Sequence, residues 1–276
     1  MSAAPVVGWF RRRITSFSST RRSRLMAALE RHPATFRLLL RLRGGGFPPL
    51  RVAAPRMNAA LPSRAAWEDA LERVRSAGLP PHPDAPKNWD GLAALEFILA
   101  RTSPSARVLD AGGEIYSPLV EWLYQWGYRS LEVLNLIFPA PFRRGAIRYT
   151  PGDCTAMPYP DASFDVIVSL SVIEHGVDTR RFLREAGRVL APGGYLIVST
   201  DYWPERIDTA GLRAYGSDVR IFSRPDIETL QAEAVDAGFE PTGDVDYAAA
   251  ERAVTWQAVS LQYTFIVLAL RRRPDR

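Results

Sequence analysis

The sequence predicts an α/β fold: a doubly wound, mostly parallel sheet with helices on both faces, preceded by an N-terminal helical extension. Three observations carry this. From residue 107 onward, short apolar runs alternate with helical stretches. The runs, FDVIVSL at 164–170 among them, are apolar almost throughout, as strands covered on both faces are. The chain is long enough, at 276 residues and 47% hydrophobic, to bury a sizeable core in one or two domains.

The elements follow in order. Residues 1–60 hold 12 arginines against one acid, Glu30, and carry +11 of charge; the remainder carries −6, for a net +5. Within this extension, residues 22–43 show helical periodicity, with Leu25, Met26, Phe36 and 38–40 as apolar positions and Trp9 and Phe10 upstream. A basic amphipathic helix of this kind suits an anionic membrane surface through residues 1–45, or packs its leucines on the main domain with the arginines in water. The segment also has the arginine- and serine-rich, acid-poor composition of some organellar targeting peptides, and Met26 and Met57 are alternative starts. Gly44–Gly46 with Pro48 and Pro49 breaks the unit.

A helix over 63–77, capped by Ser63, and another over 90–101 make a helical cap, residues 61–104, separated by a loop with four prolines. Strands are expected at 107–110, 130–136, 146–149, 164–170, 195–200 and 262–270, with a weaker one in 241–248. Helices are expected at 118–126, 179–190 and 225–237, and 191–194 (APGG) reads as a turn. Residues 105–276 form the main domain, with an insertion at 202–224.

The composition excludes several classes. A single cysteine, Cys154, rules out an internal disulfide, and three histidines leave little for a metal cluster; no metal is expected. No apolar run reaches 18 residues, so no ordinary transmembrane helix is expected; the expected location is cytoplasmic, with peripheral membrane attachment as an option. The acidic main domain argues against nucleic acid as a partner. Nothing in the sequence fixes an oligomeric state.

In an open sheet of this type ligands bind beyond the carboxyl ends of the strands. That rule selects 110–114, Asn135, Asp153, 169–175 and Asp201. These positions fall in VLDAGGE (108–114), GDCTAMPYPDASFDVIVSLSVIEH (152–175) and FLREAGRVLAPGGYLIVST (182–200), before a terminal strand. In this order the segments resemble the class I S-adenosylmethionine-dependent methyltransferases, of the type 11 small-molecule group, with a Rossmann-like fold, over about residues 105–270.

The resemblance implies S-adenosylmethionine as cofactor and S-adenosylhomocysteine as product. Asp110, Gly112 and Gly113 would line its methionine part, with Glu114 standing where the family has a second spaced glycine. Asn135 falls at the ribose-binding acid, Asp153 near the adenine amine with Cys154 beside it, and Ser169 near the sulfonium. Trp89 would pack over the site. A nicotinamide dinucleotide site fits less well, because the full G-x-G-x-x-G is absent.

Methyl transfer needs alignment of the reactants and, for a hydroxyl acceptor, a base. His175, in VIEH, is one candidate, since an unperturbed imidazole titrates near neutrality; a capping role is the alternative. Asp201 is the second candidate, or a capping residue. Glu174 could orient a loop. Tyr202, Trp203, Glu205, Arg206, Tyr215 and Arg220 suit an acceptor that is a small molecule or glycan precursor methylated at oxygen, and Tyr247 is a weaker candidate. Arg143 and Arg144 read either as a pair for an acidic acceptor or as a solvated face. The other readings are a peripheral-membrane methyltransferase for a lipid-linked acceptor, and a non-catalytic interaction protein, suggested by Glu114 and Asn135.

Overall fold

The computed structural model describes residues 21–44, 56–214 and 216–274. Trp9 and Phe10, the glycine–proline break after residue 44, and Tyr215 lie outside the described residues.

Two helices, α1 (Arg21–Arg31) and α2 (Pro33–Gly44), stand where one periodic stretch was expected. Pro33 divides them, because a proline drives the preceding residue out of the helical region. The inner side of α2 docks on the main domain. Phe36 and Leu40 are fully buried, worth about 1.5–3 kcal/mol each. Phe36 stacks on Tyr124 at 5.7 Å between ring centroids. Gly145, with φ +58, is required at this joint: a Cβ there would lie 2.6 Å from the Phe36 ring.

Arg144 fits neither expectation made for it. It is buried, pairing with Glu30 at 3.1 Å and Glu121 at 2.7 Å and lying 4.9 Å from the Phe36 ring centroid. It therefore pins the extension to the domain, while its neighbour Arg143 is exposed.

The main sheet runs β1 (Ala59–Ala60), β12 (Leu261–Arg272), β7 (Leu190–Tyr202), β6 (Phe164–Leu170), β2 (Arg107–Ala111), β3 (Ser130–Asn135), β5 (Ile147–Pro151), β4 (Phe142–Arg144). The central strands β7, β6, β2, β3 and β5 are parallel, and β12 joins β7 antiparallel. Two short strands, β10 (Phe239–Pro241) and β11 (Val254–Trp256), also pair with β12.

The sheet is buried on both faces, as its uninterrupted apolar runs require. α3 (Arg64–Ser76), α4 (Asn88–Arg101) and α5 (Leu119–Gln125) share one core with Val108, Val166, Val168 and Ile197. α6 (Thr179–Val189) and α7 (Arg224–Asp236) share the other with Leu109, Ile167, Leu196 and Val198. Residues 61–104, read from sequence as a cap, thus supply one helical layer of the main core.

The APGG segment is not a separate turn before a strand. It is an irregularity inside β7, where the register against β6 jumps between Phe164 and Val166. A small hairpin, β8 (Arg213–Ala214) and β9 (Ser217–Asp218), projects from the 202–224 insertion. The insertion returns to the end of β7, where Trp203 N–H donates to Phe222 O (3.0 Å) and Phe222 N–H to Asp201 O (2.9 Å). Among the described residues, no helix is long and apolar enough to cross a membrane.

Candidate active site

The strand order reverses at β2: the chain passes from β2 outward to β3 and β5, then resumes on the other side at β6. A crevice at such a switch point is where ligands bind in open α/β sheets. Asp110 ends β2 there, and the Gly112–Gly113 turn follows.

The turn is tightly built. Gly112 has φ +101, and a Cβ on it would lie 2.5 Å from Val172. A Cβ on Gly113 would fall 2.2 Å from the Asp110 carboxylate, which accepts the Gly113 N–H. Asn135, ending β3, donates its amide to Gly112 O (2.7 Å) and Gly113 O (3.0 Å) and accepts from Ile137 N–H (3.1 Å). A carboxylate could not make the two donations. Ser169 is fully buried and donates to Ala111 O at 2.9 Å, tying β6 to β2 under the turn.

The remaining positions are less uniform. The Asp153 carboxylate closes a local turn on Thr155 N–H (2.7 Å) and hydroxyl (2.9 Å). Burial raises the adjoining Cys154 thiol to about 11, which keeps it protonated at neutral pH. Trp89 is 5% exposed and belongs to the apolar core. Glu114 is half-buried and accepts from the Tyr116 hydroxyl; its carboxyl is raised by burial. Leu136 and Ile137, beyond β3, and Ile115, beyond β2, are exposed apolar side chains along the same rim.

Acidic groups dominate the edge electrostatics. Burial raises Asp110 to about 7. Burial, and then the proximity of Asp201, raises Glu174 to about 8. Burial raises Asp201 to about 7, against the opposing pull of Lys87. Asp90 is raised by burial too. His175 was expected to titrate near its ordinary value, but burial and the Lys87 charge push it down to about 4. It is neutral at pH 7 and a weak proton acceptor, whereas its chain neighbour Glu174 titrates in the useful range.

Sequence reasoning missed Lys87 and Asp90. Lys87 carried a signal: it is the one lysine among 35 basic residues.

The insertion's polar residues are mostly engaged elsewhere. Arg220 binds Asp226 at 2.5 Å and lies over Phe222. Tyr202 is fully buried and donates to Tyr247 O. Tyr247 donates to Gln231 at 2.6 Å on the α7 side. Trp203 is half-buried with Arg252 4.9 Å from its ring centroid, and Glu205 and Arg206 are exposed.

Residues 132–198 match the family model described as "Methyltransferase domain". A Mycolicibacterium smegmatis protein named "Probable S-adenosylmethionine-dependent methyltransferase" is 47% identical over 68 residues, 25% of this chain and 24% of its own length. The 27-O-demethylrifamycin SV methyltransferase of Amycolatopsis mediterranei is 35% identical over 99 residues, 34% of this chain and 36% of its own. The matched segment thus spans about a quarter to a third of these relatives. The Burkholderia thailandensis 1,6-didemethyltoxoflavin-N1-methyltransferase structure aligns at TM-score 0.49 and 18% identity over 76% of this chain and 87% of that one. Over residues 132–198, inside the doubly wound sheet that carries the glycine turn at its switch point, the chain matches a methyltransferase domain and is similar to S-adenosylmethionine-dependent methyltransferases.

Proposed function

We propose that the protein methylates a small molecule or glycan precursor at a hydroxyl oxygen, with S-adenosylmethionine as donor. The observation that carries this reading is the set of raised carboxyls at the ends of β2, β6 and β7 and in the turn after β2. Asp110, Glu114, Glu174 and Asp201 outnumber the one lysine there. Such a set fits a cofactor bearing an ammonium and a sulfonium, and cation binding offsets the cost of ionising a buried Asp110. When bound, the cofactor supplies a methyl group already activated for attack.

Asp110, Gly112, Gly113 and Glu114 would hold its amino-acid end. Asp153 and the Cys154 backbone would face its base, with Leu136 and Ile137 as apolar cover. Asn135 would act on the turn and so only indirectly on the ribose. Ser169 and Trp89 would support these groups from below. Of the two candidate bases, Asp201 is the stronger, because its proton affinity matches neutral pH. His175 would align the acceptor as a neutral group.

The test is label transfer from [methyl-³H]S-adenosylmethionine to a panel of phenols and sugars. Turnover that falls at least about 100-fold in Asp201→Asn, with cofactor affinity kept, supports the assignment. Turnover unchanged in that variant removes Asp201 as base.

A second reading rests on α2. Its inner side is consumed by docking, yet Leu38 and Leu42 remain 55% and 72% exposed beside Arg41. Salt-reversible binding to anionic vesicles, lost in Leu38→Ser/Leu42→Ser, would favour a membrane-surface enzyme; equal binding by wild type and variant would remove this reading.

A further inference from the structure

Residues 80–90 form a strap toward the carboxyl edge of the sheet, and the strap is anchored along its length. Trp122 Nε1 donates to Pro80 O at 2.9 Å. Asn88, fully buried, donates to Ala85 O (2.9 Å) and His82 O (3.3 Å) and accepts from His82 N–H (2.8 Å). This lock places Lys87 Nζ 5.3 Å from the Phe265 ring centroid.

Four carboxyls act electrostatically on that ammonium: Glu174 after β6, Asp201 of β7, Asp90 at the start of α4 and Asp84 of the strap itself. Asp201 of β7 is the register partner of Phe265, so both side chains leave the same sheet face. Asp90, at the start of α4, accepts from Ser199 at 2.5 Å. Glu174, after β6, accepts from Thr200 at 3.1 Å. Asp90 and Glu174 are 1% exposed and Asp201 6%. A pair kept for stability needs one carboxylate per cation, and each surplus buried carboxyl costs desolvation. Four carboxyls acting on one ammonium, three of them buried at the carboxyl edge of the sheet, are more than a structural pair needs.

We propose that Lys87, Glu174 and Asp201 form the proton-handling centre for the acceptor, and that this centre selects an acidic hydroxyl, phenolic or enolic, over an alcohol. The proposal rests on the methyltransferase reading above. The acceptor O–H bond breaks, its proton passes to a carboxylate oxygen of the Glu174–Asp201 pair, and the electron pair stays on the acceptor oxygen beside the Lys87 ammonium. Methyl transfer then consumes the oxyanion.

Selectivity follows from the proton balance. The pair titrates near 7 and 8. A phenol of tyrosine type loses its proton near about 10. One adjacent cation lowers that by about 1–3 units, which closes the gap. A hydroxyl as weakly acidic as water, at about 15.7, stays out of reach. The other groups facing the centre are His82, Asp84 and Asp90 from the strap, Glu114 after β2, His175 after β6, and Tyr263 of β12, whose hydroxyl donates to Asp201.

Because Lys87 is the only lysine, protein grown on [ζ-¹⁵N]lysine carries one side-chain signal. That signal should move with pH between about 7 and 8, and the upper part of the step, near 8, should vanish in Glu174→Gln while the part due to Asp201 remains. With S-adenosylhomocysteine present, 4-nitrophenol as the probe should shift the signal saturably. The bound probe should ionise about tenfold more readily than in buffer. Lys87→Gln should abolish that gain and Lys87→Arg restore part of it. Cofactor-product binding without any saturable response of Lys87 to the probe overturns the proposal alone. So does a Lys87→Gln protein that binds the phenolate as wild type does. Failure of S-adenosylhomocysteine to bind the folded wild type instead removes the methyltransferase reading on which the proposal stands.

Discussion

Glu174→Gln should flatten the alkaline side of the stability profile. The folded-state carboxyl is raised from its ordinary 4.5 to about 8, so the native state holds a proton that the unfolded chain releases. Stability therefore falls as pH rises through this window, and the loss is complete above about pH 8. His82 and His175, both pushed down to about 4, act in the opposite sense, but their effect is complete by about pH 6.5. Asp110 and Asp201 act in the same sense as Glu174 but titrate near 7, so most of their part is over above that pH. The interval from pH 7 to 8 therefore belongs mainly to Glu174, and one unit there corresponds to about 1 kcal/mol. At a urea dependence of about 3 kcal/mol per molar, the wild-type midpoint should drop by about 0.3–0.5 M across the interval. The Gln variant should lose much less. A wild-type midpoint that stays flat from pH 6.5 to 8.5, or a variant that falls in parallel with it, would refute the reasoning.

Three further substitutions probe other joints. Arg144→Met should destabilise by about 3–5 kcal/mol in urea melts, because it strands Glu121 in a buried site and leaves Glu30 with Arg43 alone; a loss under 1 kcal/mol contradicts the docking role. Gly113→Ala should weaken S-adenosylhomocysteine binding by about tenfold or more in calorimetry, since the new Cβ meets the Asp110 carboxylate. Asn135→Asp restores the acid the family resemblance expects, yet it should weaken that binding, because two donations to the glycine turn are lost at about 0.5–1.5 kcal/mol each. Tighter binding by the Asp variant would show that the residue serves the ribose directly.

The order of strands and helices was legible because each strand is a local apolar run, and the strand-end rule then selected Asp110, Asn135, Asp153 and Asp201 as one neighbourhood. What the sequence hid was mostly long-range. Asn135 reads as a weakened ribose ligand until its amide is seen on Gly112 and Gly113. Arg144 reads as surface charge because its partners, Glu30 and Glu121, are 114 and 23 positions away. β1 and β11 are too short to show a pattern and exist only as additions to β12. The acidity of His175 is hidden too, because a reference value says nothing of burial, which pushes it to about 4. Lys87 needed both facts: that it is the chain's one lysine, and that a proline-rich strap brings it under the influence of four carboxyls.

The most direct test is a calorimetric titration of the full chain with S-adenosylhomocysteine. One saturable site with micromolar affinity, lost in Asp110→Ala and weakened in Asp153→Ala, is the predicted result. No heat of binding and no thermal stabilisation of a well-folded wild-type protein would contradict a methyltransferase site at the Gly112–Gly113 turn.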